Sequence, residues 1–276
     1  MPCPYKRAVN YSGRKTMVRI TVVGAGGRMG RRLLALVNEA DDLELAGAVE
    51  HPKNVREHGK ELEALAGSVP ITEELPAEPG VVVDFSLPAS TMKHLNFAVM
   101  REAPLVCGVT GISDDQLDTI NKAAQSIPIL LAENMSVGIN LLRRLVRQVA
   151  KELEDGYEIE ITETHHHAKR DAPSGTALGL AKAIVESTER TNDDLIYGRV
   201  GEIGARLPKE IGIHSLRMGS EVGEHKVHFA STGDVLTLSH RAYSRDTFAL
   251  GALRAARWIV DKKPGRYTMD DVLDGK

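Results

Sequence analysis

With 276 residues, 42% hydrophobic and 26% charged, the chain has a globular composition and a length that predicts two domains. Its 35 lysines and arginines against 38 aspartates and glutamates give a net charge of −3, which argues against a nucleic-acid partner. No apolar run reaches the roughly 18 residues of a membrane helix, and only two distant cysteines occur, so we expect no membrane contact and a cytoplasmic location.

The first 16 residues carry four basic side chains and no apolar stretch, so they do not resemble a secretory signal. Residues 1–16 are predicted to form a disordered basic arm, and Met17 is a candidate for the native start. Docking of this arm on a neighbouring subunit is the alternative.

From Met17 onward, short apolar runs alternate with amphipathic segments, the rhythm of an α/β domain with a parallel sheet. A helix is predicted to begin at Ser113, because Gln116 three residues later completes a capping box. The predicted strands are residues 18–23, 43–49, 81–85, 105–108 and 127–131.

After Ser136 the pattern changes to a long helical stretch and then to period-two alternation over residues 157–166. Residues 212–219, 224–231 and 235–242 are predicted to be antiparallel strands, the last two joined through residues 232–234. A final helix from Asp246 is expected to return to the first domain. The predicted domains are therefore residues 17–135 with 245–276, and residues 136–244.

A glycine-rich segment lies between the first predicted strand and the first helix, with Gly24, Gly26, Gly27 and Gly30. Such glycines let backbone amides approach a pyrophosphate at a helix N-terminus. The spacing is one residue longer than the usual dinucleotide motif, so a structural turn is the alternative. Glu50, 20 residues after Gly30, lies where an acidic side chain accepts hydrogen bonds from a ribose, and together these features favour dinucleotide binding.

The choice between NADH and NADPH stays open. Glu50 disfavours a ribose 2′-phosphate, whereas His51, Lys53 and Arg56 could neutralise one. Arg28 is placed either to meet the pyrophosphate or to be a solvated residue of the first helical turn.

Residues 163–176 (ETHHHAKRDAPSGT) concentrate three histidines, a lysine and a Ser-Gly-Thr helix entry. A metal site from this run alone is geometrically poor, because successive side chains on a strand alternate between faces. A helix beginning near Ser174 would direct the amides of Gly175 and Thr176 toward a carboxylate. Lys169 adds a cation beside that helix end. A polar turn with a capped helix is the alternative for each residue taken singly.

From Met17 to its end, the chain resembles the 4-hydroxy-tetrahydrodipicolinate reductase (dihydrodipicolinate reductase) family of the diaminopimelate route of lysine biosynthesis. The resemblance rests on the glycine segment, the 165–176 signature and four further motifs: DFSLP from Asp84, CGVTG from Cys107, AENMSVGIN from Ala132 and VGEH from Val222. It implies a Rossmann-type doubly wound domain and a smaller mixed-sheet α+β domain for substrate binding and tetramer formation. It also implies reduction of a cyclic dicarboxylate by NADH or NADPH.

By this resemblance His165 is the proton donor and Lys169 the catalytic lysine. The implied substrate-binding residues are His166, Ser174, Gly175 and Thr176. The implied cofactor-binding residues are Gly24, Ala25, Gly26, Gly27, Arg28, Met29, Glu50, His51, Gly108, Val109, Thr110, Ala132, Glu133, Asn134 and Met135. His51 and Leu87 stand where some members carry arginine near the cofactor, which puts an NADPH preference in doubt. The alternatives are another two-domain NAD(P)-dependent amino-acid dehydrogenase and a non-catalytic nucleotide-sensing protein.

Overall fold

A computed structural model describes residues 17–275, which form two compact units. The first unit contains residues 17–136 and 246–275, and the second contains residues 137–245. The predicted N-terminal arm, residues 1–16, lies outside the described residues. Among the described residues no helix has the length and apolar character needed to cross a bilayer.

The first unit is built on a seven-stranded sheet in which every pair of neighbouring strands is parallel. Numbered along the chain, its strands are β1 (Val18–Val23), β2 (Leu43–Val49), β3 (Ile71–Thr72), β4 (Val81–Asp84), β5 (Leu105–Cys107), β6 (Pro128–Leu131) and β12 (Gly265–Tyr267). Their order across the sheet is β12-β6-β5-β4-β1-β2-β3. This is the doubly wound order, and the predicted Rossmann-type fold is confirmed.

Six helices belong to the first unit: α1 (Arg28–Glu39), α2 (Pro52–Ala66), α3 (Pro88–Met100), α4 (Asp114–Ala123), α7 (Asp246–Ile259) and α8 (Met269–Asp274). The capping box predicted at the start of α4 is present, because the Ser113 hydroxyl accepts the Gln116 amide and the Gln116 side chain accepts the Ser113 amide. Two ion pairs tie α7 to earlier segments of the same unit, Arg257 with Asp42 at 2.6 Å and Arg32 with Asp246 at 2.6 Å.

The second unit consists of a five-stranded sheet, two α-helices, α5 (Val137–Glu152) and α6 (Gly175–Val185), and a short 3₁₀ helix (Asn192–Asp194). Its strands are β7 (Glu158–His165), β8 (Leu195–Tyr197), β9 (Ile211–Arg217), β10 (Gly223–Ala230) and β11 (Val235–Ala242), in the order β11-β10-β7-β9-β8. The inward-facing side chains of β7, β9 and β10 pack with those of α5 and α6 in one buried cluster. The predicted mixed sheet of a smaller domain is confirmed.

The prediction that residues 212–219 form an antiparallel strand was wrong. Strand β9 runs parallel to both β7 and β8, whereas β10 is antiparallel to β7 and β11 as predicted. The chain leaves β7 through helix α6 before it returns to the sheet, and a crossover of this kind joins parallel strands. Period-two alternation is the same in both orientations, so it could not distinguish them.

Two glycines inside helices of the first unit differ sharply in the space around them. A Cβ added at Gly251 in α7 would lie 1.8 Å from the backbone oxygen of Met135, whereas one added at Gly59 in α2 would find only the Val55 side chain, at 3.9 Å. The close approach of α7 to the segment after β6 therefore requires glycine at position 251.

Gly251→Ala should lower the free energy of unfolding by roughly 1–3 kcal/mol, because backbone on both sides must move apart. The matched variant Gly59→Ala should raise it by about 0.5–1 kcal/mol, because alanine loses less conformational entropy in a helix. Urea unfolding followed by circular dichroism measures both. Equal effects of the two substitutions would contradict the packing described at Gly251.

Candidate active site

Four loops of the first unit follow the carboxyl ends of adjacent parallel strands: residues 24–27 after β1, 85–87 after β4, 108–113 after β5 and 132–136 after β6. Parallel strands place these loops at one edge of the sheet. In doubly wound folds the ligand lies at this edge, where the strand order reverses, which here is between β1 and β4. The predicted cofactor residues other than Glu50 and His51, which lie between β2 and α2, all fall on or beside these loops.

The glycine segment has no room for side chains at its two ends. Gly24 has φ +78°, and a Cβ there would lie 3.0 Å from the Phe85 backbone oxygen. A Cβ at Gly30 would lie 2.1 Å from the oxygen of Gly24. The loop is therefore a bare backbone cradle at the N-terminus of α1, a structure that fits a dinucleotide pyrophosphate.

Glu50 is 8% exposed and lies against this cradle. Its Oε2 accepts the Gly26 amide at 2.5 Å, and its Oε1 accepts the His51 amide at 2.7 Å and the Asn54 side chain at 2.9 Å. The carboxylate thus fixes the glycine loop directly, a role that the sequence interpretation did not assign to it.

The remaining predicted cofactor residues have different surroundings. His51 is the N-cap of α2, where its Nδ1 accepts the Lys53 amide at 3.2 Å. The side chains of Val109 and Met135 are 4% and 1% exposed and belong to the core, so only their backbone can reach a ligand. Leu87, which follows β4, is 72% exposed. The other predicted cofactor residues reach solvent to different extents. Four are exposed, Gly27, Arg28, Thr110 and Glu133, and four are half-buried, Met29, Gly108, Ala132 and Asn134.

The histidine-rich segment of the second unit begins on a strand and then leaves it. His165 is the last residue of β7, so the alternation assumed for the three histidines ends there. His166 and His167 lie in the following turn, where both the amide and Nδ1 of His167 donate to the Gly219 oxygen, at 3.2 and 2.9 Å. Within residues 17–275 no three His, Cys, Asp or Glu side chains form a metal-binding group.

His165 forms a short hydrogen bond with a buried carboxylate. Its Nδ1 lies 2.5 Å from Oε2 of Glu163, which is 0% exposed and two residues earlier on the same face of β7. Arg217 at the end of β9 donates to both carboxylate oxygens, at 2.8 and 2.9 Å. Burial by itself raises the pKa of Glu163, but the bonds from His165 and Arg217 outweigh it and hold the pKa well below its ordinary value.

A second buried histidine lies beside this pair. The His225 ring contacts the His165 ring edge to face at 5.1 Å between centroids, and its Nε2 lies 3.0 Å from the Ser174 hydroxyl. Desolvation, with a smaller contribution from His165, lowers the pKa of His225 to about 3, so its ring is neutral. It therefore packs against His165 without adding charge.

Ser174 is the N-cap of α6, as the sequence predicted. Its hydroxyl accepts the Ala177 amide at 3.2 Å, and its own amide donates to Glu163 Oε1 at 3.1 Å. Gly175 and Thr176 form the first turn of α6. The N-terminal end of a helix carries a partial positive charge and favours an anion.

Cationic side chains lie near His166. Lys169 is 20% exposed and pairs with Asp171 at 2.9 Å, while Asp171 is itself 59% exposed. The pKa of His166 is lowered by desolvation and then by the nearby charges of Arg245, His165, His167 and Lys169. The charges of Lys169 and Arg245 fit a ligand with more than one carboxylate.

Glu163, Arg217 and His225 received no role from the sequence. One signal could have pointed to Glu163: on β7 the inward positions Ile159 and Ile161 continue into Glu163 and His165. A carboxylate at an inward position requires hydrogen-bonding partners. Apart from His165, those partners come from segments 11 and 54 residues away, which periodicity does not reveal.

Comparisons with known proteins agree with one another. The family model described as dihydrodipicolinate reductase, N-terminus, matches residues 18–135, and the model for its C-terminus matches residues 138–273. Curated relatives named 4-hydroxy-tetrahydrodipicolinate reductase from Syntrophus aciditrophicus and Rubrobacter xylanophilus are 45% and 46% identical, each covering 93% of this chain and 98% of the relative.

The fold is also similar to a solved structure. Dihydrodipicolinate reductase from Paenisporosarcina sp. TG-14, solved with dipicolinate bound, superimposes with a TM-score of 0.72 at 24% identity, covering 92% of this chain and 98% of that one. Both halves of the chain match their family models, and the relatives are similar over nearly their whole length. The chain therefore belongs to the dihydrodipicolinate reductase family.

Proposed function

We propose that this protein is a 4-hydroxy-tetrahydrodipicolinate reductase that uses NADH or NADPH and acts in the diaminopimelate route of lysine biosynthesis. The observation that carries the proposal is the geometry around His165. A histidine with one ring nitrogen fixed by a buried carboxylate lies in the same unit as a cationic cluster and the N-terminus of α6. Family membership of the whole chain supports the same reaction.

The substrate of this reaction is a cyclic dicarboxylate whose 4-hydroxyl group must leave as water to give a conjugated ring, and NAD(P)H, when bound, would supply a hydride to C4 of that ring. Negative charge that develops at C3 must then be protonated. His165 gives this proton from Nε2, because its Nδ1 is engaged by Glu163. The residues that would hold the cofactor are those of the bare glycine cradle, Gly24 to Met29, together with Glu50.

Lys169, His166 and the first turn of α6 bind the two carboxylates in this proposal. Lys169 exchanges its solvent-exposed partner Asp171 for a substrate carboxylate, an exchange of small cost because exposed ion pairs contribute little. Gly175 and Thr176 present backbone amides at the positive helix end. Charge from Lys169 and the helix end also stabilises the negative charge that develops on the ring.

A nucleotide-sensing protein is less well supported, because it needs the glycine cradle but gains nothing from a carboxylate-anchored histidine in the other unit. Another amino-acid dehydrogenase of similar plan would not be expected to match both family models. Catalytic turnover of 4-hydroxy-tetrahydrodipicolinate separates these possibilities.

Four copies of the chain are proposed to assemble through the second unit, in the cytoplasm. Strand β11 is an edge of its sheet, with Val235 and Leu236 61% and 41% exposed, and Leu141 and Leu145 of α5 are 46% and 41% exposed. Exposed apolar side chains along a free strand edge favour contact with another subunit.

Light scattering of the purified protein should return four chain masses, and a monomer at micromolar concentration would contradict the assembly.

The reductase should oxidise NADH at least as efficiently as NADPH when the aldolase product is generated in the cuvette. Glu50 lies at the cradle and repels a 2′-phosphate, while His51 stands where an arginine would favour one. Absorbance at the nicotinamide band measures kcat/KM for each cofactor. A clear NADPH preference would overturn this expectation, and no oxidation of either cofactor would overturn the proposed function.

His165→Gln should lower kcat by roughly 10²-fold or more with a modest change in KM, because the proton is transferred only in the transition state. Lys169→Ala should lower kcat and raise KM, because the lysine charge acts on both ground and transition states. His167→Gln is the matched control and should leave both constants near wild type, since its imidazole is held by the Gly219 carbonyl. NADH affinity, followed by fluorescence, should be unchanged in all three variants.

If His165 only supports the local fold, His165→Gln will lower thermal stability and leave turnover per folded molecule intact. Circular dichroism and active-site titration of the purified variants therefore accompany the kinetics. A folded His165→Gln enzyme with normal kcat would end the assignment of His165 as proton donor.

A further inference from the structure

The Glu163 carboxylate receives four hydrogen bonds from three separate segments. Oε2 accepts from His165 and from Arg217 Nη1, and Oε1 accepts from Arg217 Nη2 and from the Ser174 amide. The donors lie on β7, at the end of β9 and at the N-cap of α6. Neither oxygen can rotate away without breaking a bond to Arg217.

Arg217 is itself held in place by two hydrogen bonds to backbone oxygens. Besides the carboxylate, it donates to the backbone oxygens of Leu216 at 2.7 Å and Asp171 at 2.6 Å. Asp171 belongs to the turn that carries Lys169. The arginine therefore holds the carboxylate in one orientation and joins it to the lysine-bearing turn.

The other ring nitrogen of His165, Nε2, lies beside a glycine of β10. A Cβ built at Gly223 would lie 3.0 Å from His165 Nε2, so glycine at this position leaves that nitrogen uncrowded on the β10 side. His225 packs against the ring edge as a neutral group. With Nδ1 held by a carboxylate, the neutral ring keeps its proton on Nδ1, and Nε2 is the nitrogen that gains and gives the catalytic proton.

We propose that Glu163, fixed by Arg217, is a positioning residue that sets the tautomer and orientation of His165 and provides the counter-charge for its imidazolium. This inference rests on the proposed function, in which His165 is the proton donor. Glu163 acts only through His165 and does not itself touch the substrate.

The chain contains a second carboxylate–arginine–histidine cluster. It serves as a control that distinguishes a positioning role of Glu163 from a purely structural one. Glu160, also on β7, pairs with Arg199 at 2.9 Å and with His214 Nε2 at 2.7 Å. It therefore combines a carboxylate, an arginine and a histidine in the same way, but none of these residues belongs to the candidate active site. Glutamine at either position brings an amide NH₂ into conflict with arginine donors, although the Glu160 side chain is 27% exposed and the Glu163 side chain is buried, so the fold of both variants is checked.

Glu163→Gln should lower kcat by about 10²-fold or more with a modest change in KM, because it removes the carboxylate that orients the proton-donating imidazole. Glu163→Asp retains the charge and should recover part of this loss, whereas Glu160→Gln should leave kcat near wild type. Steady-state kinetics on variants of verified fold measure all three. A normal kcat for Glu163→Gln, or an equal loss for Glu160→Gln, would overturn the proposal.

Histidine ¹⁵N NMR of the wild-type protein tests the same inference without catalysis or substitution at Glu163. At a pH where the His165 ring is neutral, its signal, assigned by its absence from His165→Gln, should show a protonated Nδ1 and an unprotonated Nε2. The opposite tautomer would overturn the positioning role even if Glu163→Gln fails to fold. If wild-type enzyme shows this tautomer but no reductase activity, the proposed function fails and the Glu163–His165 arrangement stands.

Discussion

A carboxylate remains ionised inside a protein only when hydrogen-bond donors replace the water it has lost. Glu163 meets this requirement with an arginine, a histidine and a backbone amide, and each donor comes from a different segment of the second unit. Satisfying one buried charge thus brings together the end of β7, the end of β9 and the start of α6. The groups proposed for proton transfer and for binding carboxylates are carried by these same segments.

The first unit depends on a constraint of a different kind, the close approach of backbone to backbone. Gly30 lies against Gly24, and Gly251 lies against Met135, with no space for a side chain in either contact. One contact forms the cradle after β1 and the other brings α7, from the end of the chain, against the segment after β6. Packing of this type leaves backbone amides accessible to a ligand and needs few charged residues.

The sequence predicted the elements whose pattern is local. Strands β1, β2 and β11 begin and end where apolar periodicity places them, and the capping residues mark the starts of α4 and α6. Strands β3, β8 and β12, with two or three residues each, are too short to show any periodicity. The direction of β9 and the partners of Glu163 depend on chain crossings and on contacts over dozens of residues, and no local pattern encodes either.

Glu50 shows why the cofactor site would be difficult to redesign. The residue expected to read the ribose is also the acceptor for the Gly26 amide and for Asn54. Exchanging it for a small or basic side chain, the usual way to admit a 2′-phosphate, would remove the acceptor that holds the loop and would leave an amide to find another partner. A change of nucleotide preference in this chain therefore requires a second substitution that supplies a new acceptor for the Gly26 amide. We expect the replacement of Glu50 and this second substitution to occur together.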